Sequence, residues 1–384
     1  MRTTSTTKKP LSTKSTKLPL LDFYFFNKNY QRRGFMKKSV WVLSFFSSFL
    51  GAKEFELLNN ITHTGELRFG VVQLKNLEGE KTSTIALGGH VSLETEPING
   101  VSAGVTFYTT NALFGENREA MFLGSKNQSY AIVAEAYLQA DFANTNVKVG
   151  KQIVETPFIN SDDIGMVPDI VEGYSLTNQS LAKTNIVLGA FDKWAGVDSS
   201  QPEKFNKMQN SGDFVLMAGI SYEGIKNTTL QAWNYKVDDN NWNYLEARYE
   251  TDDFSLAGQY SNQGDGNDIY GFDAVVNFNQ LSLHTAYNSV NGVVSNGFGG
   301  GPFFTSSEDH TVHETLDNEA ILMGAEYNID KLKLALTHVD FSEIEDETDY
   351  IVAYEFNDKL SAQLIHSQMY HDGRLTRFFI NQSF

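Results

Sequence analysis

The sequence predicts an all-β chain: a transmembrane, antiparallel, up-and-down β-barrel of about eighteen strands with an inward-folded constriction loop. Sixteen strands is the alternative, if two weak hairpins do not form. Three observations carry this. Short runs alternate apolar and polar residues, and the apolar parities hold no charge. The gaps between runs are tight after even-numbered strands, and every long gap follows an odd-numbered one. The chain closes on an aromatic residue, Phe384.

Composition sets the outer limits. The 384 residues include seven prolines and no cysteine, with 41% hydrophobic, so neither a disulfide framework nor a thiolate metal site is available. The net charge of −17 is unevenly divided. Residues 1–52 hold ten Lys/Arg and one acid, net +9, which leaves −26 on the other 332. A body this acidic excludes nucleic acid as a partner, because phosphate contacts need clustered Lys and Arg.

Met36 to Ala52 reads as a secretory signal peptide: Lys37 and Lys38 precede an apolar run, Val40 to Leu50, and Gly51-Ala52 offers a small-residue cleavage site. The run is shorter than the ~20 apolar residues of a membrane-spanning helix. Residues 1–35 are rich in Thr, Ser and Lys. A start codon placed too early explains them better than the twin-arginine-like Gln31-Arg-Arg-Gly-Phe-Met-Lys37, since twin-arginine export carries folded cargo and a barrel must reach its membrane unfolded. The expected mature domain is 53–384.

From there the period is that of strands with two different faces. Ile85, Leu87, Val91 and Leu93 share one parity, against His90, Ser92 and Glu94. The same holds for Ile132, Ala134, Ala136 and Leu138 against Glu135, Tyr137 and Gln139, and again in Phe214 to Tyr222 and Ile321 to Tyr327. A charge-free parity suits lipid, where Arg or Lys at mid-depth costs ~2–4 kcal/mol. A soluble sandwich alternates too, but has no reason to sort its loops. Here Glu96–Gly100, Ala143–Thr145, Thr251–Asp253, Asn328–Asp330 and Asn357–Lys359 are tight, whereas Phe114–Gln128, Glu155–Ile170, Asp198–Gly212 and Asn291–Asn318 are long. Short turns on one rim and long loops on the other mark outer-membrane barrels.

If the apolar parity faces lipid, then Arg68, Lys148, Arg248, Lys333 and Arg377 point into the lumen, with the acids Glu135, Glu246 and Glu250 among those beside them. Rings of such charges set channel selectivity; salt bridges across the wall are the plainer alternative for many.

The long segment Thr156–Gly173 carries two prolines and four acids. It is expected to fold into the lumen and form the constriction through Asn160, Ser161, Asp162, Asp163, Asp169 and Glu172. With few wall bases to answer those acids, the channel should favour cations, or at least lack strong anion preference. The competing expectation is a neutral eyelet, in which wall bases pair with the loop acids.

The run T-P-x-I-N-S-D-D-x-x-M-x-P-x-x-x-E-G within this segment resembles the loop signature of OprD-like outer-membrane porins, and Gly299-Gly-Gly-Pro-Phe-Phe-Thr305 and Phe384 add to the resemblance. It extends over residues 53–384 and is closest to shorter bacterial members. It implies an eighteen-stranded barrel passing small, often carboxylate-bearing solutes. Gly165 stands where larger members often carry arginine, so their substrates do not transfer. Phe378 and Ile380 share the parity of Phe384, which resembles the terminal signal read by barrel-assembly machinery, with Gln382 at a position where an apolar residue is usual.

Other motifs have cheaper readings. Gly100-Val-Ser-Ala-Gly104 has the G-x-S-x-G form but opens a strand after a turn, without the strand–turn–helix a nucleophile elbow needs. His310 and His313 meet no zincin pattern, and Gly264–Asp268 lacks the spaced acids of a calcium loop. No catalytic residue, metal site or cofactor is expected. The reading is an outer-membrane diffusion channel for small hydrophilic solutes, monomeric or homotrimeric, with outer-membrane lipid, lipopolysaccharide and the barrel-assembly machinery as partners. A barrel enzyme and a secreted adhesive β-protein are the rivals.

Overall fold

The computed structural model describes residues 61–76, 79–114, 118–369 and 373–384. The expected signal peptide and the basic stretch before it lie outside these residues. Among the described residues the strands are β1 (Ile61–Lys75), β2 (Lys81–Thr95), β3 (Val101–Phe114), β4 (Tyr130–Phe142), β5 (Thr145–Gln152), β6 (Ile170–Asn178) and β7 (Thr184–Ala195). There follow β8 (Asn206–Lys207), β9 (Val215–Ile225), β10 (Thr228–Val237), β11 (Asn240–Glu250), β12 (Phe254–Asn262) and β13 (Asp268–Phe278). The last are β14 (Leu281–Asn291), β15 (Glu319–Ile329), β16 (Leu332–Phe341), β17 (Glu347–Asn357), β18 (Leu360–Met369) and β19 (Arg374–Ser383).

Every long strand pairs antiparallel with its neighbours, and β19 pairs with β1 from Lys75↔Arg374 to Glu66↔Ser383. The two-residue β8 sits only on the end of β7, which pairs directly with β9. The wall is therefore a closed eighteen-stranded barrel, and the sixteen-strand alternative falls away. Closure leaves no unpaired edge, which the bilayer core requires because no water is there to satisfy backbone groups.

The strand text explains which face goes where. Leu216, Ile220, Leu245, Leu256, Phe272, Ile321, Met323 and Leu336 are all exposed, Met323 by 64%. In water such a belt would be an aggregation surface; in lipid it is the solvated face. The tight turns lie together on one rim. Ala143 and Asn144 both take positive φ, 45° and 61°, the two-residue hairpin geometry that matches strand twist. The opposite rim carries the loops 153–169, 196–214 and 292–318, by the rule for such barrels the extracellular rim.

Buried apolar residues gather in two clusters among the described residues, both where loops pack against the inner wall. One holds Phe158 and Ile159 with Tyr235, Tyr244, Phe298 and Phe303. The other holds Met166 and Val167 with Val72, Phe122, Leu375 and Phe379.

Candidate functional site

Loop 153–169 connects β5 to β6 and contributes to both clusters, so it crosses the lumen as a strut. At one end the Phe158 ring stands edge-on to Tyr235, Trp242, Tyr244 and Phe303 at centroid distances of 5.4, 5.5, 5.9 and 6.1 Å. At the other end Met166 enters a recess on β1 and β2. Gly70 makes the recess possible, because a Cβ there would lie 2.7 Å from the Phe122 ring and 2.9 Å from the Met166 sulfur.

Between these anchors lie the residues expected at the constriction. Asp163 accepts from both terminal nitrogens of Arg68 at 2.7 and 2.8 Å, and the same guanidinium reaches the Gly165 carbonyl at 2.8 Å. Arg68 Nε also donates to Glu66 and Asn381. Asn160 binds loop 292–318: its Oδ1 accepts from Gly300 N at 3.0 Å, and its backbone N–H donates to Phe298 O at 3.2 Å. The Ser161 carbonyl accepts from Asp169 N at 2.6 Å, closing the bend that presents Asp162 and Asp163.

Asp169 is buried, and its Oδ1 accepts from the backbone N–H of Asp198 at 3.3 Å. Burial first, then the nearby Asp198 carboxylate, push its pKa up to about 10, so it keeps its proton. The same two causes raise Asp162 to about 7. Glu172 stands apart from this group. It lies on β6 and not in the loop, its neighbour Val171 is packed in the interior cluster, and alternation places Glu172 on the other face, where Lys193 holds it at 3.0 Å. That pairing is on the outer rim, away from the lumen.

The inner wall carries the other expected charges. Arg248 bonds Glu246 at 3.1 Å and Asp273 at 3.0 Å, and Asp273 also meets His284 at 2.6 Å. Lys333 pairs with Glu326 at 2.6 Å. Lys148 sits 4.2 Å from the Tyr137 ring centroid, and Glu135 accepts from Thr106 at 2.8 Å. Arg377 is buried and pairs with Glu308 of loop 292–318. Glu250 ends β11 at the tight-turn rim, where its backbone N–H donates to Asn227 O.

Loop 292–318 had no role assigned from sequence, yet it packs directly against loop 153–169. Ile159 and Phe298 form a parallel bridge between the two loops. Phe303 packs on Phe158, the Phe304 ring lies 5.5 Å from the Arg248 guanidinium carbon, and buried Glu347 accepts from Asp309 N and His310 N. Together with Asp198 from loop 196–214 and Trp194, the loops enclose a cavity of about 570 Å³. Its carboxylates are Asp162, Asp198, Glu308, Asp309 and Glu314. Two of these have cationic partners: Glu308 has Arg377, and Glu314 has His310 at 3.1 Å. Hydrogen bonding to Glu314 raises His310 to about 9, so it is charged at neutral pH.

The family described as outer membrane porin, OprD family, matches residues 115–298. Among curated proteins none matches. OccAB4 of Acinetobacter baumannii shares the barrel with a TM-score of 0.74 at 15% identity, over 85% of this chain and 98% of that one. OpdK of Pseudomonas aeruginosa, solved with vanillate, has a TM-score of 0.74 at 14% identity, over 85% and 99%. OccK8 (OprE) of the same organism has a TM-score of 0.72 at 15% identity, over 85% and 99%. The family match falls on the stretch containing the lumen-crossing loop, and around it the wall is closed: the chain has the barrel of a porin and, over residues 115–298, matches the OprD family of outer-membrane porins.

Proposed function

We propose that the channel favours small cationic or zwitterionic solutes over carboxylates, and that Asp162 and Asp198 set this preference. The observation that carries it is the acid excess in the cavity at the constriction, where neither Asp162 nor Asp198 has a cationic partner at salt-bridge distance among the described residues. Asp163, which looked equivalent in sequence, spends its charge on Arg68. At an effective dielectric of about 20, one unit charge about 4 Å from a passing ion contributes about 4 kcal/mol. Water and salt reduce this several-fold, and what remains still exceeds RT. OpdK was solved with a carboxylate, vanillate; the acidic cavity argues for a different solute here.

Planar-bilayer recording in a salt gradient, with a panel of small amines, zwitterions and carboxylates, tests this. Cation-directed reversal potentials and block by amines are expected, and Asp198→Asn should move both toward anions. A channel that strongly prefers anions would overturn the proposal.

A further inference from the structure

Asp162 and Asp198 line the cavity between the loops. Asp169 does not; it is 3% exposed and lies where loop 153–169 meets loop 196–214. The two loops approach this closely because residue 196 is glycine: a Cβ there would collide with Asp169 Oδ1 and with the Pro168 carbonyl. Ser199 closes the turn, its N–H and its hydroxyl both donating to the Gly196 carbonyl, at 3.1 and 2.9 Å. The turn delivers the Asp198 N–H to Asp169 Oδ1 at 3.3 Å. Asp169 is itself fixed, its own N–H donating to the Ser161 carbonyl at 2.6 Å.

The side chains meet as well as the backbones. The Asp169 and Asp198 carboxyls lie within hydrogen-bond reach of one another, and the charges that weigh most on Asp169 are Asp198 and then Asp162, both acids. The phenol of Tyr130 on β4 is also within electrostatic range. Two carboxyls in such a contact hold a proton between them, because ionising both sets like charges together. The buried member keeps it. Asp169 Oδ2 is buried and accepts no hydrogen bond among the described residues, as expected of an oxygen that carries the hydrogen. Asp198, by contrast, is an exposed loop residue. Its own turn does not dictate where its side chain points.

We propose that Asp169 is a positioning residue for the channel's charge preference, a neutral carboxyl that holds Asp198 by backbone and side chain together and keeps its charge turned to the cavity. The proposal rests on the reading above that a passing solute meets the charge of Asp198. Asp169 Oδ1 accepts from the Asp198 N–H, and the Asp169 O–H donates to the Asp198 carboxylate. A hydrogen bond of ordinary net strength biases a side chain about fivefold toward the bonded orientation. Without it the Asp198 side chain turns away among its other rotamers, and the cavity loses part of its field. Asp169 adds no charge of its own. Removing its acidity should therefore matter little, and removing its hydrogen bonds should matter a great deal.

The test is the cation-to-anion permeability ratio of the full-length channel, from reversal potentials in planar bilayers under a salt gradient at neutral pH. Asp169→Asn is the conservative variant, because an amide is neutral and supplies both an acceptor oxygen and an N–H donor. Its ratio should stay within about 1.5-fold of wild type, whereas Asp169→Leu, which has neither group, should lower the ratio about threefold to fivefold. Since Asp169 acts through Asp198, the double variant D169L/D198N should match D198N alone. Heat-modifiable migration checks that each barrel is folded. If D169L does not assemble, Gly196→Ala, which drives the turn off Asp169 without altering a charge, should give the same loss. A shift in D169N as large as that in D198N would show that Asp169 carries charge itself. Additive losses in D169L/D198N, or an unchanged ratio in a folded D169L, would show that it does not act through Asp198. Each of these overturns the proposal and leaves the role of Asp198 standing. An unchanged ratio in D198N would instead remove that role, and its positioning with it.

Discussion

Arg68 on β1 grips both carboxylate oxygens of Asp163, at 2.7 and 2.8 Å, and so ties the tip of the lumen-crossing loop to the first strand of the barrel. The pair does two things at once. It neutralises an acid that would otherwise face the pathway, and it fixes the loop where Met166 enters its recess. Asp163 is 45% exposed, so the pair is worth no more than about 1 kcal/mol. Asp163→Asn should therefore leave the fold intact while freeing a cation, and the reversal potential should move toward anions. Arg68→Gln should move it the opposite way. Shifts of the same sign in both variants would sink this account.

A second prediction concerns pH. Asp162 is raised to about 7 by burial and by Asp198. Because the native state holds this proton more tightly than the unfolded chain, its contribution to stability is full at low pH and is lost as pH rises through about 7. Channel charge moves in step: cation preference should grow between about pH 5 and about pH 8, with a midpoint near 7. Asp162→Asn should flatten that curve. An equally steep curve in the variant would assign the titration elsewhere.

Phe158 tests whether the loop is a strut. Its ring is fully buried among four aromatic side chains, and truncating a buried Phe costs about 3–5 kcal/mol. That cost falls on the loop anchor, since the barrel ladders are made without it. Phe158→Ala should give a larger, noisier single-channel conductance in a barrel with normal heat-modifiable migration. Unchanged conductance would mean that the loop is held elsewhere.

The barrel was legible because lipid imposes a rule on every strand. Leu216, Ile220 and Met323 could be placed on the outside from parity alone, and the loop lengths gave the rims. The site was legible only where one segment supplied it. Asp162 and Asp163 have the same local text, and nothing in it distinguishes the acid that meets Arg68, 95 residues away, from the one that meets Asp198. Asp198 itself sits in a polar loop with no motif. Loop 292–318 hid for a different reason: its glycine-rich text fixes no conformation by itself, whereas Phe303 and Phe304 pin it to the wall. Glu172 was expected in the loop, but it lies within β6, which starts at Ile170, and alternation turns it to the outer face.

The end of the chain gives the last prediction. Phe384 and Gly65 exchange two backbone hydrogen bonds, at 3.0 and 3.2 Å, at the far end of the β19–β1 seam. The Phe384 ring covers Gly65 so closely that a Cβ there would come within 2.5 Å of it. Gly65 leaves room for the ring, and the ring covers backbone that a glycine would expose, an aromatic rescue across the closing ladder. Phe378 and Ile380 lie on the same outward parity, so the seam is apolar from mid-wall to rim. Deleting Phe384 removes two hydrogen bonds of about 1 kcal/mol each together with the ring. Phe384→Ala removes the ring alone and leaves the hydrogen bonds in place. If the ring carries assembly, both should lower the yield of heat-modifiable barrel in outer membranes while secretion continues. If only the deletion lowers it, backbone closure is what the terminal residue supplies, and recognition of an aromatic end by the assembly machinery loses its support.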